Sequence, residues 1–502
     1  MIQTESSRRN INLDLNYVTI DDILKRAIAL SRPGFIDNPR EYREPELRKE
    51  YGSYVFGDKV VLVRTDLNSP IEQKEGQFYL KGKDRIKAAA PTIRELSDYG
   101  AKVVVITHQG TAGKADCISL EPHKNALEEV LSKEVIFKSA HWYGIVTQDI
   151  IKGMKRGEVF LLDNIRKLSD EVSDLRDPGR FAALPHSYMS TLGPLADFVV
   201  NDAFSASHRW HGSIIGFPHL LNLAGRLTQR EIQENRKLIS DIRNPYTLLL
   251  GGVKISGYLD FVEDLLEHDL VDNVLAAGAL GILAIHGSRY DGKRRELGAK
   301  TYKFLAENEL YHLKRKVANI SKDERFVIPL DFKVKLGEEV RYMTPEEIHS
   351  NPNKDKIGIY GIGPQTLDLF LDRLKNSQTV YLKGSPTKDD EEEFLPESKR
   401  LIEEIVRLKQ NGATTILSGG DTNNLISKFG FSAETDFTHF TLAGGAAAEY
   451  HAGNILPGVV MLNTSYNAFW GLDLSTGLPL GYPRNISEIA PRIPESLRPF
   501  KK

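Results

Sequence analysis

Two short segments of this chain carry residue types that suit binding and transfer of a phosphate group. The first, Val61-Leu62-Val63-Arg64-Thr65-Asp66-Leu67-Asn68-Ser69-Pro70, places charged and amide side chains at the end of an apolar run. The second, Ser418-Gly419-Gly420-Asp421-Thr422, is a glycine turn after another apolar run. The first is typical of an anion pocket where a buried strand stops, and the second of a phosphate site at a helix start. Together they predict a phosphotransferase.

Polar side chains follow four apolar runs in the first half of the chain, and one more arginine opens the next predicted helix. These side chains are Arg64, Asp66, Asn68, Arg85, His108, Arg166 and Arg209. Because the carboxyl ends of parallel strands meet at one edge of a sheet, we expect them to converge on one crevice. Guanidinium groups there would hold carboxylate and phosphate oxygens in two-point contacts. The predicted ligand is small, doubly anionic and hydroxylated.

Each of these groups also has a simpler interpretation. A single arginine is more often a partner in a surface ion pair, and only the convergence of several favours the pocket. His108, His208 and His211 lack an evident third metal ligand, so a structural role is favoured over metal binding. Asp202 is interpreted as a local cap, and Trp210 as a packing residue.

The glycine turns of the second half predict a nucleotide-phosphate site. At Gly419 and Gly420 the backbone N–H groups can face a phosphate, Thr422 adds a hydroxyl, and Asp421 is placed to hold Mg²⁺ directly or through water. Gly444 and Gly445 form a second turn, and Gly251-Gly252-Val253-Lys254 brings a lysine that would stabilise a phosphoryl group in transfer. Each turn taken alone is equally typical of a tight connection. No GxxxxGK[ST] motif is present.

The elements that position these residues alternate regularly along the chain. Apolar runs predict buried strands at residues 60–63, 103–107, 159–162, 198–201, 246–250, 274–277, 379–382 and 414–417. Amphipathic spacing predicts helices at residues 85–99, 120–131, 258–267, 364–375 and 397–411. This alternation predicts an α/β fold of two doubly wound, parallel-sheet lobes of the Rossmann-like type.

The length of 502 residues also favours two lobes. We expect an N-terminal extension at 1–56 and an acid-binding lobe at 57–225. A nucleotide-binding lobe should follow at 226–440, beginning with a hinge helix near 226–244, and a C-terminal return segment and irregular arm should occupy 441–502. The net charge of −2 argues against nucleic acid, and no apolar run is long enough for a membrane. One cysteine and no signal-like start predict a cytoplasmic protein, with a monomer favoured.

The ordered motifs VRTDLNSP, DRI, THQG, LLDNIR, NDAFSASHR, LLGGVK, SGGDT and AGGA resemble those of phosphoglycerate kinase over roughly residues 57–462, with THQ and SLEPH closest to the archaeal branch. The resemblance implies a two-lobed enzyme that closes about a hinge. It would move a phosphoryl group between 1,3-bisphosphoglycerate and Mg·ADP to give 3-phosphoglycerate and Mg·ATP. An acyl phosphate is already activated, so alignment and charge compensation suffice without a covalent intermediate or a protein base.

The resemblance also implies a role for each matching residue. The glycerate and its phosphate would be held by Asp66, Asn68, Arg85, His108, Arg166 and Arg209. Lys254 would neutralise the migrating phosphoryl group, with Arg85 as a second catalytic residue. The nucleotide phosphates and metal would be held by Lys254, Gly419, Gly420, Asp421, Thr422, Gly444 and Gly445.

The chain departs from the family pattern at several of its sites. Thr111 replaces the arginine of the family's His-x-Gly-Arg-Pro, which removes one substrate arginine. Gly257 replaces the aspartate after the glycine-lysine turn, and Lys383-Gly384-Ser385-Pro386 replaces Asn-Gly-Pro. Ala443-Gly444-Gly445-Ala446-Ala447 stands for GGGAS, and Gly361-Ile362-Gly363-Pro364 for Asp-Ile-Gly-Pro. Lys383 would offer a positive charge in place of the missing asparagine.

An acidic run, Asp389-Asp390-Glu391-Glu392-Glu393, follows in place of the loop that carries the family's ribose-binding glutamate. We interpret it as solvated carboxylates near the positive end of the helix at 397–411. The clustered departures leave a second hypothesis open: a divergent paralogue with an altered substrate or a non-catalytic binding role.

Overall fold

The computed structural model describes residues 15–31, 44–139, 144–172, 187–287, 289–290, 293–441, 443–451 and 454–470. These residues form two compact units. The first contains the described residues between 15 and 233 and those from 455 to 470, and the second contains those from 234 to 454. The chain therefore leaves the first unit, builds the second and returns to the first.

The first unit is built on a parallel sheet of six strands in the order β5-β6-β4-β1-β7-β8. A separate hairpin of β2 and β3 follows β1. The strands are β1 (Val60–Thr65), β2 (Ile71–Lys74), β3 (Gln77–Leu80), β4 (Lys102–Ile106), β5 (Val135–Lys138), β6 (Val159–Leu162), β7 (Phe198–Asp202) and β8 (Leu221–Ala224). Register places Arg64 beside Ile106 and Asn201, so three strands end together.

Nine α-helices of the described chain precede the second sheet, in this unit or leaving from it. They are α1 (Ile20–Ser31), α2 (Pro45–Phe56), α3 (Asp84–Asp98), α4 (Glu121–Leu131), α5 (Ile145–Gly153), α6 (Ser169–Val172), α7 (Tyr188–Leu192), α8 (Gly212–Ile215) and α9 (Arg226–Asp241). The apolar side chains of β1, β4 and β7 are buried, with separate hydrophobic clusters on the two faces of the sheet. That double burial explains why these strands read as continuous apolar runs.

The second unit repeats the plan with a parallel sheet in the order β13-β10-β9-β17-β18-β19. Its strands and those of two small antiparallel sheets are β9 (Tyr246–Leu250), β10 (Asn273–Ala276), β11 (Arg289–Tyr290), β12 (Lys293–Arg294), β13 (Phe326–Val327), β14 (Phe332–Leu336), β15 (Glu339–Met343), β16 (Ile357–Ile362), β17 (Thr379–Lys383), β18 (Thr414–Ser418) and β19 (His439–Thr441). The helices are α10 (Leu259–Glu267), α11 (Gly278–Gly287), α12 (Gly298–Glu307), α13 (Lys314–Ile320), α14 (Pro345–Ser350), α15 (Pro364–Leu374), α16 (Leu395–Gln410), α17 (Gly420–Lys428) and α18 (Gly445–His451).

These two sheets confirm the predicted α/β fold of two parallel-sheet lobes. Strict alternation, however, does not hold throughout, because β14 pairs antiparallel with both β15 and β16. The strand β15 has no buried residue, with the burial pattern of a surface strand, so it lacks the apolar run that predicts a buried strand.

Helix α9 covers most of the residues predicted as a hinge helix. Its first turn is capped by Asp202 at the end of β7, whose Oδ1 accepts the N–H groups of Leu227 at 2.8 Å and Thr228 at 3.1 Å. This finding confirms the interpretation of Asp202 as a cap. The helix therefore starts from a fixed point on the first sheet.

Helices α1 and α2 show that part of the N-terminal extension is ordered on the first unit. Arg226 at the start of α9 bridges Asp21 of α1 and Glu95 of α3 at 2.8 and 2.7 Å. Arg48 of α2 contacts the same two carboxylates at 2.7 and 2.9 Å. Two arginines and two carboxylates thus form one network that ties four helices together.

A final helix, α19 (Pro457–Trp470), returns to the first unit and packs against β8 and α8. Asn222 of β8 donates its backbone N–H to Ser465 at 2.8 Å, and Gly458 donates to the carbonyl of Ser207 at 2.9 Å. The irregular arm predicted near the C-terminus is therefore wrong for residues 463–470, which are helical. The rest of that arm, residues 471–502, lies outside the described residues.

Candidate active site

Asp66 is the centre of a polar cluster at the carboxyl end of β1. The buried carboxylate contacts Arg85 and the hydroxyl of Ser205, and accepts the N–H of Asn68 at 3.0 Å. Burial alone would raise the pKa of Asp66, but the charge of Arg85 and these hydrogen bonds hold it well below its usual range. Asp66 is therefore a permanent anion that fixes the Arg85 guanidinium, which stays partly exposed.

Arg64 lies behind this cluster and is almost fully buried. Its Nε donates to Ser213 at 2.7 Å, and a terminal nitrogen lies 4.0 Å from Glu171. Glu171 also accepts from Tyr188 at 2.7 Å and from the backbone of Ser213 at 2.8 Å. This network supports the site from below. Nothing in the local sequence marks Glu171 or Ser213, because their partners are distant in the chain.

His108 follows β4 and is buried between the charged groups of this edge. Its Nδ1 lies 3.9 Å from Asp66 and 3.4 Å from Arg64. Burial, together with the charges of Arg64, Arg166 and Arg85, lowers the pKa of His108 well below its ordinary value despite the nearby Asp66. The imidazole is thus neutral at pH 7, and it serves as a hydrogen-bonding group rather than as a cation.

Two amide side chains fix the loops on either side of His108. Asn68 accepts the N–H of Gly110 at 3.0 Å. Gln109 is buried and accepts the N–H of Ser69 at 2.9 Å, and Asn164 bonds both backbone groups of Gln109 at 3.1 and 2.8 Å. The loops after β1, β4 and β6 are therefore held as one surface. Asn68 acts in part through this scaffold.

Arg166 is a buried cation of the site with few compensating contacts. It is 8% exposed, one terminal nitrogen donates to the carbonyl of Gly110 at 3.2 Å, and its Nε is buried without a hydrogen-bond partner. Burial, with the charges of Arg209 and Arg64, lowers the pKa of Arg166 to about 10. A guanidinium crowded by like charges in this way is a site for an anion.

Arg209 and an adjoining cavity extend this cationic region. Arg209 is exposed and its Nε donates to His208 at 3.3 Å. An open cavity of about 490 Å³ beside Arg166 is lined also by Lys114 and Lys167. Neither lysine was predicted as a site residue. Thr111, which stands where the family has arginine, is exposed in the loop after β4 that also contains Lys114. Its N–H donates to Asp116 at 3.0 Å.

The second candidate site lies where β9, β17 and β18 end side by side. The loops after β9 and β17 approach so closely that a Cβ on Gly251 would lie 2.2 Å from the carbonyl oxygen of Ser385, and one on Gly384 would lie 2.4 Å from that of Gly251. Only glycine fits at these two positions. These glycines allow the loops after β9 and β17 to pack closely together. Lys254, which belongs to the loop after β9, therefore lies at this edge of the sheet.

Lys254 and Asp421 meet across this edge, with Nζ 3.1 Å from Oδ2. Their side chains are 82% and 65% exposed, so both remain available to a ligand. Gly419 has a φ of 99°, a conformation that favours glycine, and α17 begins at Gly420. The first N–H groups of a helix have no intrahelical partner, which is the feature that the predicted phosphate site uses. The N–H of Gly419, however, donates to the carbonyl of Thr441 at 3.0 Å, so the prediction that it faces a phosphate is wrong.

Thr422 is used differently from the prediction that its hydroxyl contacts a phosphate. Its side chain is fully buried, donates to the carbonyl of Ser418 at 2.8 Å and accepts the N–H of Gly384 at 2.8 Å. The hydroxyl proton is therefore already used within the protein. Thr422 links the loops after β17 and β18 and so helps to shape this candidate site indirectly.

Gly444 and Gly445 form the turn between β19 and α18. Gly444 has a φ of 51°, and α18 begins at Gly445. A Cβ placed on Gly444 would lie 3.9 Å from the ammonium of Lys383. The turn thus lies close to the lysine that replaces the family's asparagine.

The acidic run after Lys388 is not simply solvated, which corrects the interpretation from sequence. Glu391 and Glu393 contact Lys335 of β14 at 3.4 and 3.0 Å, and Glu391 also contacts Lys388. These ion pairs attach the run to the antiparallel sheet. These ion pairs could not be anticipated from the sequence, because β14 was not predicted.

Within the described ranges, no group of three or more His, Cys, Asp or Glu side chains is placed to hold a metal ion. The exposed carboxylate of Asp421 beside a phosphate-type turn fits a Mg²⁺ ion held mainly by phosphates and water. Among the described helices, none combines the length and apolar character needed to cross a bilayer.

Two parallel-sheet lobes, each with polar groups at the carboxyl ends of its strands, are the architecture of a two-lobed α/β kinase. The family model described as phosphoglycerate kinase matches residues 53–454. The chain therefore belongs to the phosphoglycerate kinase family, as the motifs indicate.

Relatives and solved structures agree with this assignment. The phosphoglycerate kinase of Methanothermus fervidus is 29% identical over 416 residues, covering 80% of this chain and 93% of its own. That of Dictyoglomus turgidum is 32% identical over 410 residues, covering 80% and 95%. The crystal structure of phosphoglycerate kinase from Pyrococcus horikoshii is similar with a TM-score of 0.68 and 28% identity, covering 82% of this chain and 98% of that chain.

Proposed function

We propose that this protein transfers a phosphoryl group between 1,3-bisphosphoglycerate and Mg·ADP, giving 3-phosphoglycerate and ATP. The observation that carries the proposal is the Arg166 guanidinium, which is buried with an unpartnered Nε and is crowded by the charges of Arg209 and Arg64. Such a cation is costly in a folded protein unless an anion binds it. Membership of the family supports phosphoglycerate as this anion.

In this proposal the first lobe binds the acid. Arg85, fixed by Asp66, and the pair Arg166 and Arg209 offer guanidinium N–H groups to the carboxylate and the phosphate. His108, neutral and buried, orients a hydroxyl or carboxylate oxygen without adding charge. Asn68 holds the loop at Gly110 and completes the pocket wall.

The second lobe binds the nucleotide. Lys254 balances the negative charge of the phosphoryl group in transfer, and the backbone N–H groups at Gly420, Gly444 and Gly445 hold the phosphates. Asp421 would hold the Mg²⁺ ion, which when bound neutralises charge on the nucleotide phosphates. The acid and the nucleotide must meet for in-line transfer, and we assign this to closure about α9, which also excludes water. We further propose a cytoplasmic monomer.

A divergent paralogue without kinase activity is the second candidate. It is favoured by Thr111 and Gly257, which remove charged groups of the family pattern, and by Lys383 in place of asparagine. In this alternative the acid site persists while the nucleotide is no longer bound. A protein of this kind would bind phosphoglycerate and not Mg·ADP.

A coupled assay with 3-phosphoglycerate and Mg·ATP tests the first proposal, with Lys254→Ala as the reference. Turnover well above that variant is expected, and Arg209→Ala should lower it at least about tenfold because it removes a charge from the acid site. Turnover no greater than that of Lys254→Ala would reject the kinase. Calorimetric titration then separates the alternatives, since only the kinase should bind Mg·ADP at millimolar concentration or below.

A further inference from the structure

Lys383 is the last residue of β17, the strand that lies between β9 and β18 in the second sheet. The loops after those two neighbouring strands carry Lys254 and Asp421. In register, Lys383 lies beside Leu250 on one side and Ser418 on the other. A side chain at this position starts from the middle of the proposed nucleotide site.

The ammonium of Lys383 lies over the ring of Tyr258, 5.3 Å from its centroid. On another side lies Gly444, where an added Cβ would be 3.9 Å from Nζ. Within the part of the chain that the structure describes, Lys383 forms no ion pair or hydrogen bond through its ammonium. Aromatic contact alone compensates only a small part of the loss of water.

Two other lysines of the same unit that lie over aromatic rings have carboxylate partners, whereas Lys383 has none among the residues that the structure describes. Lys333 is buried with both carboxylate oxygens of Glu397 at 3.1 Å. Lys388 lies over Tyr360, 5.0 Å from the ring centroid, and is also paired with Glu391. Lys383 has the aromatic contact without the carboxylate. Burial and the charge of Lys254 lower its pKa to about 8. A positive charge maintained at such a position is explained by an anion that binds there.

We propose that Lys383 is a second phosphate-binding cation of this protein and contacts the diphosphate of the nucleotide beside Lys254. The inference rests on the proposed function, because it takes the ligand of this lobe to be a nucleoside diphosphate or triphosphate. Gly444 leaves the ammonium open toward the turn where phosphates are expected. Tyr258 holds the lysine in place, since its buried ring leaves little freedom for the side chain above it.

Calorimetric titration of the full chain with Mg·ADP and with adenosine tests this role. Lys383→Met should weaken Mg·ADP binding about ten- to a hundredfold, the usual effect of losing a charged hydrogen bond, and should leave adenosine within about twofold. Lys388→Met is the matched control, because it removes another lysine held over a tyrosine ring, and it should change neither affinity. Lys383→Arg, which keeps a cation, should restore much of the Mg·ADP affinity.

The pH dependence provides a second measurement. The charged and titratable groups around Lys383 are Lys254 after β9, whose charge lowers the pKa of Lys383, and Tyr258 before α10. Lys254 in turn contacts Asp421. In the protein without ligand, a lysine with a pKa of about 8 is mostly charged at pH 7.5 and mostly neutral at pH 9. The Mg·ADP affinity of the wild type should therefore fall roughly five- to tenfold between these two pH values. Lys383→Met should show a much smaller fall in affinity. The fall that remains in this variant measures the contribution of the other titratable groups.

The outcomes separate this inference from the proposed function. If the wild type binds no Mg·ADP, both the nucleotide site and the role of Lys383 are rejected. If the wild type binds Mg·ADP and Lys383→Met binds it equally well, only the role of Lys383 is rejected. An equal loss for Mg·ADP and adenosine would show a purely structural lysine. Because Lys383→Met removes a desolvated charge, its thermal unfolding midpoint should be unchanged or higher than that of the wild type. A lower midpoint would reveal a misfolded variant.

Discussion

The ammonium of Lys254 lies 3.1 Å from the carboxylate of Asp421 in the second lobe. The proposed reaction gives these two groups different partners, a phosphoryl group for the lysine and a metal ion for the aspartate. Ligand binding must then separate them. Both side chains are well exposed, so the pair contributes little to stability and opens at low cost.

Asp421→Asn should raise the Mg²⁺ concentration needed for half-maximal activity several-fold, because it removes the carboxylate charge from the proposed metal position. The free energy of unfolding should change by less than about 0.5 kcal/mol. Magnesium titration of the coupled assay and urea unfolding measure the two effects. Asp372→Asn, which breaks an exposed pair with Lys375, is the control. An unchanged magnesium requirement in Asp421→Asn would move the metal ligand elsewhere.

Arg166→Gln should raise KM for 3-phosphoglycerate at least about tenfold while leaving the thermal midpoint unchanged or higher. The pKa of Arg166 is lowered by burial and by its cationic neighbours, which means that folding disfavours its charged form and that removal of the charge relieves the protein. Steady-state kinetics and thermal unfolding give the two values. Arg156→Gln removes an exposed arginine near Asp58 and should change neither. A large loss of stability in Arg166→Gln would indicate a structural cation instead.

Thr111→Arg should lower KM for 3-phosphoglycerate about tenfold, because it returns a guanidinium to the exposed loop beside the acid site. Thr111→Gln has similar length without the charge and should leave KM nearly unchanged. Kinetics at low ionic strength would show the difference most clearly. No improvement in Thr111→Arg would mean that another cation, such as Lys114, already serves this position.

Asp202→Asn should stabilise the protein increasingly as the pH rises. Burial raises the pKa of Asp202 to about 6 from 3.8 despite its bonds to Thr92 and to the first turn of α9. Because the pKa is higher in the folded protein, the protonated Asp202 contributes its full stability below pH 3.8, and this contribution is lost as the pH rises through 6. Asparagine keeps the cap of α9 but does not ionise, so the variant does not lose stability in this way. The advantage of the variant should grow by about 1 kcal/mol between pH 5 and 7.5 in urea unfolding. A constant difference would contradict the raised pKa.

The sequence predicted most of the fold because its main strands are buried on both faces. The strands Val159–Leu162 and Tyr246–Leu250 begin and end where their apolar runs do. Helix α2, by contrast, has little amphipathic character, and β15 has a largely exposed face, so neither has the periodicity that would predict it. The local sequence pattern therefore predicts buried strands well and exposed elements poorly.

The candidate sites were predictable to the extent that they lie on strand ends. Asp66, Arg166, Lys254 and Asp421 were identified in this way. The partners that support them were not, because Glu171 meets Ser213 across 42 residues and Thr422 meets Gly384 across 38. Such contacts depend on tertiary structure rather than on spacing in the chain. For the same reason the sequence could not show that the hydroxyl of Thr422 is already used.

The return of α19 to the first lobe has a consequence for biosynthesis. Asn222 and Ser465 are bonded although 243 residues separate them, and Phe469 belongs to the hydrophobic core of the first lobe. A ribosome makes β8 long before α19 emerges, so the nascent first half keeps an uncovered apolar edge while the other lobe is translated. The core of the first lobe is therefore completed only after the second lobe has been made, and until then the growing chain has an exposed apolar surface for chaperones to protect.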